Sequence, residues 1–232
     1  MQYFPLALPF LLLLFFVFLF LLILIEVGIL GYAYQKIGIG RRYAYALLLL
    51  CLLGSYVNIP VYQLPPEVVR SGGRVVFFGV PYVIPMLSQF PGTVIAVNVG
   101  GALIPALLSI YLILKNRLFL KSLVATAVVT VAVHMVAHPV PGVGIAVPFL
   151  IPPAAATITA LILSRECAPA LAFICGTLGT LIGADLLNLG NLQGLGAPVA
   201  SIGGAGTFDG IFTTGILAVL LAALMARRSA SV

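Results

Sequence analysis

Seven stretches of this chain are each long and apolar enough to cross a bilayer, and nearly every cation falls in the gaps between them. A hydrocarbon core about 30 Å thick takes ~20 residues of helix. Inside it every backbone polar group must find its partner within the protein. The chain is 62% hydrophobic and 7% charged, whereas soluble domains carry about 25% charged residues. No water-soluble surface can be built from it, and no length is left over for a soluble domain.

The expected fold is therefore all-α: a polytopic transmembrane helix bundle forming one domain over 1–232. The spans fall at about 5–34, 43–59, 93–114, 123–138, 145–163, 169–189 and 208–225, with an extracytoplasmic loop at 60–92. The first apolar run is too long for a signal peptide. It lacks a basic leader and an A-x-A site, so it reads as a retained span, with Glu26 toward its far end. In the long loop, "VVRSGGRVVFF" places two β-branched runs around Ser-Gly-Gly, which predicts a hairpin. "HPVPGVGIAVPFLIPP" is apolar but broken by proline and glycine. Such backbone at membrane depth must be satisfied by protein or water, and it reads as re-entrant.

The cations orient the bundle. Lys36, Arg41, Arg42, Lys115, Arg117, Lys121, Arg165, Arg227 and Arg228 lie in alternate connections, and only Arg70 and Arg74 lie in the hairpin loop. The positive-inside rule then makes the C-terminus cytoplasmic and, with seven spans, the N-terminus external. The net charge of +6 is thus a topology signal, and no nucleic-acid partner is expected. Cys51, Cys167 and Cys175 lie in or beside apolar runs without metal-type spacing, and read as small core residues.

That orientation collects the rare polar side chains in one leaflet. Asn58, Asn98, His134, His138, Asp185, Asn188 and Asp209 all fall in the outer halves of their spans or at their outer ends. Ionisable groups at membrane depth are costly and usually functional. Asp209, at the head of the last span, has a simple alternative role as an N-terminal cap. Asp185 has none. It lies near the end of its span, where the helix dipole is negative, and needs a proton, a cation or a hydrogen-bond donor. His134 and His138 in "HMVAH" have the i, i+4 spacing of one helical face. With Asp185 and Asp209 they would be the residues for a metal, but the H-E-x-x-H signature is absent and neither metal nor cofactor is expected. Gly203, Gly204 and Gly206 are not a nucleotide loop, since no strand precedes them and no Lys follows. They read as residues for tight turns and close helix contact.

Three segments, "PGVGIAVPFLIPP", "GTLGTLIGADLLNL" and "SIGGAGTFDGIF", resemble the domain-of-unknown-function 1614 family of polytopic membrane proteins. The last two also resemble the GxGD intramembrane aspartyl proteases of the presenilin and signal-peptide-peptidase type. Those enzymes carry one catalytic aspartate on each of two successive spans, the second after a Gly-x-Gly. Here Asp185 and Asp209 fall on the last two spans, and Gly204-Ala205-Gly206 precedes Asp209. The chain departs from that pattern in three ways: Ala184 precedes the first aspartate, Thr207 and Phe208 intervene before the second, and no Pro-Ala-Leu follows it.

Three functions follow as expectations. In an aspartyl hydrolase, Asp185 and Asp209 would share a proton, activate water and cleave a membrane-protein or peptide substrate, with His138 and Asn188 tuning or orienting the pair. In a proton- or cation-coupled transporter, Asp185 would hold the ion, and Asn58, Asn98 and Asp209 would line its pocket. In a scaffold, the polar groups would only pin helices together in the bilayer. An oligomer is compatible with any of the three.

Overall fold

The computed structural model describes residues 15–20, 37–65, 73–77, 80–84, 92–140, 144–192, 199–204 and 210–228, and there the chain is mostly helical. Helix α1 is Arg41–Gly54. It is followed by strand β1 (Asn58–Gln63), a hairpin of β2 (Gly73–Phe77) with β3 (Val80–Ile84), and β4 (Val94–Asn98). A π-helical turn, Val99–Leu103, leads from β4 into α2 (Ile104–Asn116). After α3 (Phe119–Val136) come the short paired strands β5 (His138–Val140) and β6 (Gly144–Ala146), then α4 (Ile151–Leu163) and α5 (Ala168–Thr180). Helix α5 runs on without a gap through a second π-helical turn, Leu181–Asp185, and a 3-10 stretch, Leu186–Leu192. Strand β7 (Val199–Ile202) and α6 (Gly210–Arg228) complete the described chain.

Proline marks two helix starts: Pro152 with Pro153 in α4, and Pro169 in α5. In the first turn a missing N–H costs nothing, and the fixed φ is already helical. Helix α2 ends on Arg117, the one described non-glycine residue with positive φ, and the Leu118 N–H closes the turn on the Ile113 carbonyl. Helix α3 can then begin at once.

Among the described residues, three apolar helical stretches are long enough to cross a membrane: Val99–Asn116, Phe119–Val136 and Ala168–Leu192. Ile151–Leu163 and Thr214–Ala226 are shorter apolar helices. Helix α5 is central. Every residue from Ala168 to Thr177 is buried, and α2, α3, α4 and α6 all pack against it. The outward-facing residues of α2 and α3, such as Leu107, Leu120, Leu123 and Met135, are exposed and apolar, as a lipid-facing surface requires. Cys51 and Cys175 are buried, as expected of small core residues.

The two ends of the bundle differ. At one end the connections are short, the Arg117 turn and the Ser164–Cys167 turn. There Lys115 donates to the Gly38 carbonyl and Lys121 Nζ lies 3.1 Å from Ser164 Oγ. At the other end lie the strands. Strand β4 is the middle of a three-stranded sheet, antiparallel to β1 and parallel to β7.

This sheet was not expected in an all-α chain, and it corrects two span boundaries. The second span, expected to 59, is helical only to Gly54, and Asn58–Gln63 is strand. The third, expected from 93, opens as strand through Asn98. Gly73–Phe77 pairs with Val80–Ile84 in an antiparallel hairpin, while the first arm of the expected hairpin and its Ser71-Gly72 turn fall outside the described residues. "HPVPGVGIAVP" contains a small antiparallel hairpin of β5 with β6. The expected roles of Glu26, Arg70, Gly206 and Asp209 fall outside the described residues.

Candidate functional site

The site grows from the break in the central helix. Asp185 is the last residue of its π turn. Its Oδ2 accepts the backbone N–H of Gly203 at 2.7 Å. Gly203 directly follows β7, which corrects the expectation that no strand precedes these glycines, and Ile202 of β7 pairs with Val97 of β4. Only glycine fits at Gly203 on two counts. Its φ is +92°, and a β-carbon there would stand 2.6 Å from the Ala102 backbone N. The donor that Asp185 was expected to need is thus a backbone amide delivered by a glycine turn. Of the described acidic residues, Glu166 lies in the short turn before α5 and Asp185 within the long apolar stretch. Among the described residues no salt bridge reaches Asp185, and the Gly203 amide is the donor seen on its carboxylate.

On the sheet side, side chains bind the three strands together. Asn98 caps the first π turn, its Oδ1 accepting the Gly101 N–H at 2.8 Å. Asn98 Nδ2 donates to the Ser55 carbonyl at 2.8 Å and to Asn58 Oδ1 at 3.0 Å. Asn58 Oδ1 also accepts from Ser201 Oγ at 2.6 Å. One amide oxygen therefore joins β1, β4 and β7. Asn98 is almost wholly buried, so leaving any of these groups unpaired would carry a desolvation cost of about 1–3 kcal/mol.

On the other side of the break, the change of helix type displaces carbonyls from the regular ladder. The buried Asn188 takes two of them, donating from Nδ2 to the Gly183 carbonyl at 3.1 Å and the Ala184 carbonyl at 3.0 Å. His134 Nδ1 lies 3.3 Å from the Gly183 carbonyl and 3.3 Å from Asn188 Nδ2. With a proton on Nδ1 the ring donates to Gly183; without one it accepts from Asn188. Gly183 lets α3 reach this turn, because a β-carbon there would stand 2.5 Å from the Thr130 carbonyl oxygen.

The structure thus brings Asn58 and Asn98 together and joins Asp185 to Gly203, the residue after the strand that carries Ser201. It also joins His134 and Asn188 to the helix break that carries Asp185. Gly204 belongs to the same turn, donating its N–H to the Ser201 carbonyl at 3.1 Å. His138 is not part of the group. Helix α3 ends at Val136 and His138 begins β5, because Pro139 pushes the residue before it out of the helical region. The expected shared face of His134 and His138 is therefore absent, and His138 Nδ1 turns to the Val136 carbonyl at 3.2 Å. Among the described residues no group of three His, Cys, Asp or Glu side chains could hold a metal ion.

Sequence reasoning missed Ser55, Ser201 and Asn191, whose Nδ2 donates to Asn188 Oδ1 at 3.1 Å. Ser201 had a signal, its position just ahead of the glycine pair. Ser55 contributes a backbone carbonyl, which no sequence pattern marks.

A central helix broken beneath a small sheet, with an acidic side chain at the break, defines a membrane protein with a polar site at one end of its bundle. The chain belongs to the family described as protein of unknown function (DUF1614), whose sequence pattern matches residues 52–221. No curated protein and no solved structure matches it.

Proposed function

We propose that this chain is an intramembrane aspartyl hydrolase with Asp185 and Asp209 as its two carboxylates. In this reading it spans the cell membrane seven times, its sheet end outside and its C-terminus cytoplasmic, as the placement of cations between spans indicates. The supporting observation is the pairing of the last two helices. Thr177 of α5 touches Gly215 of α6, where a β-carbon would stand 2.7 Å from Thr177 Oγ1. At 1.5 Å per residue, Asp185 rises ~12 Å above that contact and Gly210, the first residue of α6, ~8 Å above it. The two therefore stand within about one helical turn of each other in depth. Asp209 immediately precedes Gly210 in the sequence. The Gly203–Asp185 hydrogen bond also ties the segment leading to α6 onto the first carboxylate.

Two carboxyls sharing one proton supply both catalytic roles. The ionised one takes a proton from water as the water attacks a peptide carbonyl. The protonated one donates to the carbonyl oxygen. The substrate class is a membrane-protein or peptide segment with an unwound bond at outer-leaflet depth. The test is cleavage of a panel of labelled transmembrane peptides by the full chain in nanodiscs. Asp185→Asn and Asp209→Asn are each expected to abolish cleavage while leaving the fold intact. Cleavage surviving either change would refute the assignment.

A second reading, proton or cation conduction, rests on the break itself. Transporters hold ions at unwound membrane helices, and Asp185 sits where an α-helix becomes π and then 3-10. It predicts flux across liposomes that Asp185→Asn blocks and Asp209→Asn only weakens.

A further inference from the structure

Hydroxyls buried in membrane helices usually bond back to a carbonyl one turn earlier. Several here do so: Ser55 Oγ to the Cys51 carbonyl at 2.7 Å, Ser109 Oγ to Pro105 at 2.8 Å, and Thr157 Oγ1 to Pro153 at 2.7 Å. Three do not. Ser122 Oγ, Thr177 Oγ1 and Thr180 Oγ1 are buried and have no hydrogen-bond partner among the described residues. Thr177 is 0% exposed and Thr180 6%. A buried hydroxyl without a partner costs about 1–3 kcal/mol, so two on one helix call for a partner beyond the described side chains.

Thr177 and Thr180 are three residues apart on α5, neighbours on one face, with β-carbons ~5–6 Å apart. One water molecule spans that gap with two hydrogen bonds of about 2.8 Å. Asp185 lies five residues beyond Thr180, across the π turn. An i→i+5 turn brings residue i+5 back over residue i, so the π turn returns Asp185 toward the threonine face. A regular α-helix would carry it further round. Ser122 lies on α3, near the opposite end of the bundle, and belongs to no such series.

We propose that Thr177 and Thr180 hold ordered water beneath Asp185, and that this water is the route by which the Asp185 carboxyl exchanges its proton. The carboxyl gives a proton to the adjoining water and recovers one from it, so the exchange is balanced. The threonines are positioning residues, acting only through the water. This rests on the reading of Asp185 as a proton-exchanging carboxyl, which the hydrolase and conduction readings share.

The experiment is infrared spectroscopy of the full chain in nanodiscs. The Asp185 carboxyl band is identified by its loss in Asp185→Asn, and its shift on transfer to heavy water is timed. The double variant Thr177→Val, Thr180→Val keeps the shape and removes both hydroxyls. It is expected to slow exchange by roughly tenfold, the weight of about one interior hydrogen bond. Thr177→Ser with Thr180→Ser, which restores both hydroxyls, is expected to recover the wild-type rate. Unchanged exchange in the valine variant overturns the water route alone. A slowdown that the serine variant shares also overturns it, because shape and not the hydroxyl would then be the cause. Absence of any Asp185 band across the pH range in which the chain stays folded overturns both the route and the reading of Asp185 on which it rests.

Discussion

From Ala168 to Thr180 the central helix is a regular α-helix whose small residues let its neighbours close on it. From Leu181 to Leu192 the same helix widens to a π turn, tightens to 3-10 and carries Asp185 and Asn188. The lower half is specified by volume. Ala168, Ala172 and Cys175 pack with Ala125, Ala156, Ala218 and Ala222 in one apolar cluster. The upper half is specified by direction, with an amide donor for Asp185 and an asparagine for the displaced carbonyls. Packing tolerates many sequences of the right volume. A buried hydrogen-bond set tolerates few, because each lost partner strands a polar group. Substitutions should therefore be costly in the upper half and mild in the lower.

The largest effect on stability is expected at Gly203. Alanine there would have to adopt a left-handed φ of +92° and would place its β-carbon 2.6 Å from the Ala102 backbone. The sum of the two penalties is about 3 kcal/mol or more. A large fall in the thermal midpoint in detergent, with loss of the folded state at the extreme, is the expected result. A midpoint near wild type would mean that the turn is not pinned. Next is Gly183→Ala, whose β-carbon would meet the Thr130 carbonyl oxygen at 2.5 Å. It is expected to cost about 2 kcal/mol, since α3 must move to admit it.

At Asp185 two substitutions separate structure from chemistry. Asparagine keeps an oxygen for the Gly203 N–H and should change stability by less than about 1 kcal/mol. Alanine removes the acceptor and should cost about 1–3 kcal/mol by leaving that donor unpaired. Both should abolish the activity that depends on Asp185. An Asp185→Asn variant that unfolds as readily as Asp185→Ala would show that the carboxylate's charge, and not its oxygen, holds the Gly203 turn. A separate pair, Asp185→Cys with Asp209→Cys in a chain lacking Cys51, Cys167 and Cys175, should form a disulfide on mild oxidation. Cα atoms more than about 7 Å apart cannot be bridged without backbone movement, so forming it would bring the two positions within reach of one shared proton.

The contrast between the two halves also explains what the sequence could reveal. Apolar helices long enough to cross a membrane were legible because a bilayer imposes a length and an apolar composition. Strand β4 was not, because Val94, Ile95, Ala96 and Val97 form a continuous apolar run, and periodicity cannot tell a buried strand from a helix there. Only Asn58 and Ile59 of strand β1 were absorbed into the preceding span; the rest was read as loop, because Pro60 marked the end of the span. That Asp185 needs a partner was legible because an acid in an apolar run has no cheap explanation. Its partner was not, since the Gly203 donor is a backbone amide brought close by pairing of β7 with β4, a contact between distant segments. The pairing of His134 with His138 failed on one residue, Pro139, whose effect on the helix end outweighed the spacing. Asn58 and Asn98 were gathered by depth alone. That they share one hydrogen bond depends on the register of β1 against β4, which pairs Asn58 with Asn98 directly.

The smallest expected effect lies in the lower half and completes the comparison. At Gly176 a β-carbon would stand 3.2 Å from Ala156 Cβ, 3.6 Å from Ala218 Cβ and 3.6 Å from Thr214 Cγ2. All three are methyl groups, and only the first is tight, so a shift of a few tenths of an ångström relieves it. Alanine also gains about 1 kcal/mol of helix propensity over glycine. The two terms nearly cancel, and Gly176→Ala should leave the midpoint within about 1 kcal/mol of wild type, with the activity at Asp185 unchanged. The measurement is the same thermal series used for Gly183→Ala, seven residues further up the same helix. If the two variants fall together, the helix is one uniformly close-packed rod and the distinction between its halves fails. If Gly176→Ala is neutral while Gly183→Ala is not, the cost follows what the new β-carbon meets, the Thr130 carbonyl oxygen at Gly183 and only methyl groups at Gly176.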